Sequence, residues 1–175
     1  MAVLLLVGFA IILGFGVIAL ARGSTPSLSA EQERSESSDE DLLRIERMDV
    51  DRLEEIITRL IGRMGMQVVD VEIVEDDAVD ILAEDPRPLV GGQWLFHGVA
   101  AAGGVVETTR VLALADAVRA ARAAKGIFVT NGFFTDDAAS AASDQPLELV
   151  NRDRFRDVLR EHRLLAALGF DQPPA

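Results

Sequence analysis

The chain contains no cysteine, two histidines and a single lysine, Lys125. Each shortage excludes something. Two imidazoles without a thiolate fall short of the full Cys and His set of a structural zinc site. The missing thiols also agree with a reducing compartment, where structural disulfides are not kept. Glycine pairs occur at Gly91-Gly92 and Gly103-Gly104, but neither has the spacing of a phosphate-cradling loop, so both read as plain loops. Glu75, Asp76, Asp77, Glu84 and Asp85 lack the alternating order of a calcium loop and read as solvated turn residues. Spacing alone supports no Ser/His/Asp triad.

Positive charge is also scarce. The sequence has 17 basic and 29 acidic residues, a net charge of −12 at pH 7. From residue 45 onward, 14 basic and 23 acidic side chains leave −9, so the acidity is not confined to one segment. A broad, nonspecific phosphate-binding surface needs a basic surplus and is disfavoured.

What is present begins with an apolar run. Met1–Ala21 carries no charged side chain and is rich in Leu, Ile, Val, Phe and Gly. At about 1.5 Å per residue it makes a helix of roughly 30 Å, the thickness of a bilayer's hydrocarbon core. Ala19-Leu20-Ala21 has the look of a cleavage tripeptide. The length of the run and the lack of a basic residue before it favour an uncleaved anchor over a signal peptide. Arg22 follows the run and favours a cytosolic position for the rest of the chain. Ser and acidic residues then dominate, a composition that buries no core. The expected organisation is a single-pass transmembrane helix over 1–22, an acidic flexible linker over 23–44, a folded domain over 45–168 and a tail over 169–175.

Within the domain, hydrophobic periodicity sets the elements. Asp49 precedes Val50, Leu53, Ile56, Ile57, Leu60, Ile61 and Met64 at helical spacing, with Gly65 as the stop. Val69, Val71 and Ile73 alternate with Asp70 and Glu72, predicting a half-buried strand. Further strands are expected at Ala78–Ala83, Trp94–Val99, Gly126–Thr130 and Leu147–Val150. Helices are expected at Thr108–Ala124, at Asp136–Ser143 with Thr135 as its cap, and at Arg152–Leu168. Three successive strands can form a meander, whereas strands separated by helices need crossovers. The fold class is therefore α/β, a mixed β-sheet flanked by helices.

These elements carry a pattern. Met64-Gly65-Met66, Ala78-Val79-Asp80, the run Gly126-Ile127-Phe128-Val129-Thr130-Asn131 with Phe134-Thr135 through Ala138, and Leu147-Glu148-Leu149-Val150 with Phe155 and Leu159 follow in order. The series resembles the Mrr-type restriction endonuclease domain, a branch of the PD-(D/E)xK nuclease superfamily. The resemblance covers about 115 residues, nearly the whole domain, and its later part is the more specific. It implies a Mg²⁺-dependent DNA endonuclease and DNA as partner. Asp80 then stands as the family's metal-binding acid, to be completed by Gln or Glu, one residue, and Lys on the next strand.

The chemistry needs that set: carboxylate oxygens hold the metal, and the lysine helps form the attacking hydroxide and offsets developing charge. Counting back from Thr109-Arg110-Val111-Leu112 places Phe96 at the Gln/Glu position and Gly98 at the lysine position. A one-residue slip offers Leu95 and His97 instead. Neither register supplies a lysine. His97 is the local substitute, because imidazole shuttles protons near neutrality, though its plainer reading is a strand histidine satisfied by the backbone. Lys125 precedes a different strand, and Arg110 stays protonated and cannot act as a base. The expectation is a nuclease-like domain with an impaired catalytic centre, the alternative being a non-enzymatic, membrane-tethered binding or scaffold module.

Arg152, Arg156, Arg160 and Arg163 draw a stripe along the last helix. Interleaved Asp153, Asp157 and Glu161 make a salt-bridged surface the plainer reading. As a nucleic-acid contact the stripe is the first candidate, with Arg119 and Arg122 as a second cluster.

Overall fold

Asp49 accepts a hydrogen bond from the Arg52 amide at 2.9 Å and starts helix α2, Val50–Arg63. Its end is equally well defined. Gly65 adopts φ +81°, while its amide reaches the Gly62 carbonyl and the Met66 amide reaches that of Ile61, each at 3.1 Å. This paired closure at a left-handed residue is what glycine makes cheap. The structure, a computed structural model, describes residues 38–88 and 91–167. The apolar run proposed as a membrane helix lies outside the described residues. Among them, no helix is long and apolar enough to cross a membrane.

A helix precedes α2: residues 38–46 form α1. Residues 38–44, which the sequence placed at the end of a linker over 23–44, are therefore helical. Ile45 and Met48 bury into the core, and two acids of this segment have arginine partners, Glu40 with Arg44 and Asp41 with Arg160.

After α2 come strands β1 (Gln67–Glu75), β2 (Ala78–Asp85) and β3 (Gly92–Val99). A short strand β4 (Val105–Val106) precedes helix α3 (Thr108–Ala120). Strands β5 (Lys125–Thr130) and β6 (Phe133–Phe134) lead to helix α4 (Asp136–Ala142), which Thr135 caps through the Ala138 amide at 3.1 Å. Strand β7 (Leu147–Val150) and helices α5 (Arg152–Glu161) and α6 (Leu164–Ala167) complete the order. The expected single closing helix is thus two, broken at Arg163, where φ is +56°. The β4–β6 pair was not foreseen; strands of two residues leave no periodicity to detect.

The main sheet runs β1-β2-β3-β5-β7. β1, β2 and β3 form an antiparallel meander, and β5 and β7 join in parallel. The mixed sheet expected from the sequence is therefore the one observed. Residues of α1, α2, α5 and α6 cover one face with Leu53, Ile57, Ile61, Phe155 and Leu159 against Val79, Ile81, Phe96 and Ile127. Residues of α3 and α4 cover the other with Val111, Leu114, Val118 and Ala138 against Leu95, Val99 and Phe128. Each fully buried large side chain of this kind stabilises by about 1.5–3 kcal/mol.

β1 differs from expectation in one respect. Val69, Val71 and Ile73 are exposed rather than half-buried, as is every other residue of the strand. The reason is position. β1 is an edge strand, and α2 packs its side chains over β2 and β3, where Leu53 and Ile57 crowd Gly98 and Val79.

Candidate functional site

The pairing registers place a row of side chains across one face of the sheet. Glu72 on β1 is opposite Asp80 on β2, Asp80 opposite His97 on β3, and His97 opposite Phe128 on β5. Directly paired residues share a face, and His97 Nδ1 lies 2.6 Å from Asp80 Oδ1. The His97 ring meets Phe128 edge-on, with centroids 4.7 Å apart. An ionised carboxylate can only accept, so this bond fixes the imidazole proton on Nδ1 and directs Nε2 away from Asp80.

The row settles which register β3 offers. Phe96 is 1% exposed and belongs to the opposite core, and a Cβ on Gly98 would stand 2.8 Å from Ile57 Cδ1. Both point to α2, away from Asp80. Of the two pairs the sequence offered, Leu95 and His97 share the face of Asp80, and Phe96 and Gly98 do not. Sequence could not decide this. Trp94–Val99 is apolar on both faces because helices cover both, and no alternation remains to mark the inward side.

The family's metal is Mg²⁺, which takes oxygen ligands in octahedral order. The donors here do not fit it. Asp80 has one oxygen committed to His97, the one further carboxylate in the row is Glu72 on the exposed edge strand, Leu95 is an apolar side chain 6% exposed, and no group of three or more His, Asp or Glu is arranged to hold a metal among the described residues.

A separate cavity of about 340 Å³ is lined by Asp77, Val99, Gly104, Thr109 and Arg110 among others, and by none of the residues of the row. Arg110 donates to Asp77 at 3.0 Å and Glu75 at 2.8 Å. The Asp77 bond is the chief reason its guanidinium is held above its usual pKa, against the opposing effect of burial. This arginine ties α3 to the β1–β2 turn. Asp85, expected as a solvated turn residue, is buried, and Arg87 holds it through its backbone amide and its guanidinium. Those hydrogen bonds keep its carboxyl below the usual range.

The segment after β5 is structural. Thr130 Oγ1 donates to the Val99 carbonyl at 3.0 Å, and the Asn131 amide donates to the carbonyls of Glu46 and Met48 at 3.1 and 2.9 Å while accepting from the Ala102 amide. The sequence signal for it is a polar Thr-Asn pair ending the apolar run Gly126–Val129.

The arginine stripe is largely occupied. Arg152 pairs with Glu46 and lies over Phe133 at 4.7 Å. Arg156 pairs with Asp157, and Arg160 reaches Asp157 at 3.5 Å and Asp41 at 3.9 Å. The stripe therefore helps clamp α5 to α1, and of the four only Arg160 and Arg163 have mostly open side chains. Arg119 is exposed and pairs with Asp116, and Arg122 sits at φ +54° after α3. Lys125 pairs with Glu148 and lies over Trp94 at 5.0 Å, so it does not reach Asp80.

No curated protein matches the chain. Among solved structures, it is similar to the DNA modification-dependent restriction endonuclease AspBHI, with TM-score 0.51 and 15% identity over 74% of this chain and 38% of that one. A structure of the MspJI restriction endonuclease in complex with a 27-mer oligonucleotide aligns with TM-score 0.42 and 15% identity, over 85% of this chain and 34% of that one. At such identity the likeness concerns the fold, and the chain spans well under two thirds of either enzyme. The sequence profile of the restriction endonuclease family Mrr_cat matches residues 45–159, and the chain belongs to that family.

Proposed function

We propose that this protein is a DNA-directed module of the restriction endonuclease fold in which metal-dependent cleavage is impaired. The observation that carries the reading is the face of Asp80. It presents Leu95 and His97 on the neighbouring strand where the family's chemistry needs a second oxygen ligand and a lysine, and His97 hydrogen-bonds Asp80. Losing the general base and the electrostatic help of the lysine removes several powers of ten in rate. DNA as the ligand rests on family membership, and the domain charge of −9 makes that contact weak and steeply dependent on salt. The same acidity favours a second reading, a non-enzymatic binding module. Attachment to a membrane through residues 1–22, with the domain in the cytosol, rests on the uncharged run Met1–Ala21 and on Arg22.

The test is incubation of the full chain in detergent with plasmid DNA and Mg²⁺ or Mn²⁺. The expected result is no nicking by a protein whose circular dichroism shows it folded. Nicking that disappears in Asp80→Ala would show a working centre and overturn the reading. A fluorescence titration with duplex DNA at rising salt separates the two classes, since a module with no DNA role shows no binding even at low salt.

A further inference from the structure

β1 is one of the two edges of the main sheet. The strand has no partner on its outer side among the described residues, and all nine of its residues are exposed. Soluble domains normally blunt such an edge with charged side chains, lysine above all, with proline, with bulges or with a very short strand, because unpaired amides and carbonyls invite another chain. β1 contains no lysine or proline; its guards are acids and two register shifts, and it leaves Val69 and Ile73 52% and 56% exposed. Between register shifts near Val69 and Val74 the strand is regular from Asp70 to Ile73. The Val71 amide donates to the carboxylate of Asp70, its own neighbour, at 3.0 Å, a partner that an amide paired in a ladder does not need.

The polar side chains of this edge have one sign. Asp70 and Glu72 share the face of Leu82 and Asp80, and no cation stands against either among the described residues. Val71 and Ile73 share the other face.

We propose that β1 accepts an extended strand from a basic partner peptide, in which lysine or arginine alternates with β-branched residues. Strand addition satisfies the outer amides and carbonyls, and alternate side chains give the specificity. Apolar positions of the partner meet Val71 and Ile73, and its cations meet Asp70 and Glu72, the two kinds of cross-strand pair that stabilise a sheet. A cation near Asp70 also draws that carboxylate off the Val71 amide, freeing it for the partner's carbonyl. A second copy of the chain fits less well. Antiparallel pairing about Val71 would set Asp70 of one copy against Glu72 of the other, and directly opposed like charges destabilise.

The test uses the full chain and a labelled peptide of about eight alternating lysines and valines, a length typical of strands. The expected result is saturable binding, with slowed amide exchange at Val71 and Ile73. Affinity should fall about tenfold in the exposed double variant Asp70→Lys, Glu72→Lys. The same peptide N-methylated on its pairing edge should not bind the unaltered chain, a readout independent of how the variant folds. Equal binding of a glutamate–valine peptide, equal binding of the N-methylated peptide, or exchange protection elsewhere than β1 would overturn the proposal. So would self-association of the unaltered chain in sedimentation, lost in the double variant, since it would make a second copy the occupant.

Discussion

The side-chain amide of Asn131 donates to the carbonyl of Met48, 83 residues earlier in the chain, at 2.9 Å. Asn131 is fully buried, and the same group also binds Glu46 and Ala102. One side chain thus joins the end of β5, the α1–α2 connection and the loop after β3. These are the pieces that set where β3 and β5 end beside the Asp80–His97 row.

Asn131→Leu is expected to destabilise the domain by about 2–4 kcal/mol, because several backbone groups lose a buried partner at about 1–3 kcal/mol each. The urea midpoint measures it. Asn131→Asp, which accepts but cannot donate, should cost a comparable amount.

The register of β3 gives a second prediction. Gly98→Ala should cost about 1–3 kcal/mol, since the new methyl group overlaps Ile57 in a packed core. Replacing Phe96 by Gln and Gly98 by Lys together should unfold the protein. Leu95→Gln with His97→Lys instead puts both groups beside Asp80, and should lower the urea midpoint, since Leu95 is core, yet leave enough folded protein to gain metal-dependent plasmid nicking.

Arg152 and Arg163 should behave differently, although sequence places them in one stripe. Arg152→Ala loses the Glu46 pair and the contact with Phe133, and should destabilise by about 1–3 kcal/mol. Arg163→Gly relieves a left-handed backbone at φ +56° and should raise stability by about 0.5–1 kcal/mol. Thermal unfolding of the two variants checks both signs.

Acid sensitivity should involve Asp85. Its folded-state pKa is lowered below the ordinary 3.8 by the Arg87 side chain and then by the Arg87 amide. A lowered carboxyl pKa contributes stability that is full above the ordinary value and is lost as pH falls through the folded value. Asp85→Asn should therefore reduce stability at neutral pH and flatten the acid limb below 3.8, read as urea midpoints across that range.

By itself the sequence determined the alternation of elements, because periods of 2 and 3.6 residues survive wherever one face meets core and the other water. Asp49, Gly65 and Thr135 marked element ends for the same local reason, since caps are built from neighbouring residues. The sequence also carried the family. It could not give the register of Trp94–Val99, where burial on both faces erases the alternation. Nor could it show that Asp41 and Glu46 belong to a helix, since the arginines that use them lie more than a hundred residues away. The exposure of β1 was hidden too: apolar alternation predicts a face to bury, but only the packing of α2 over β2 and β3 decided that this strand stays at the open edge. Local spacing fixes which way a side chain points along its own element; what it points at is decided by contacts between distant segments.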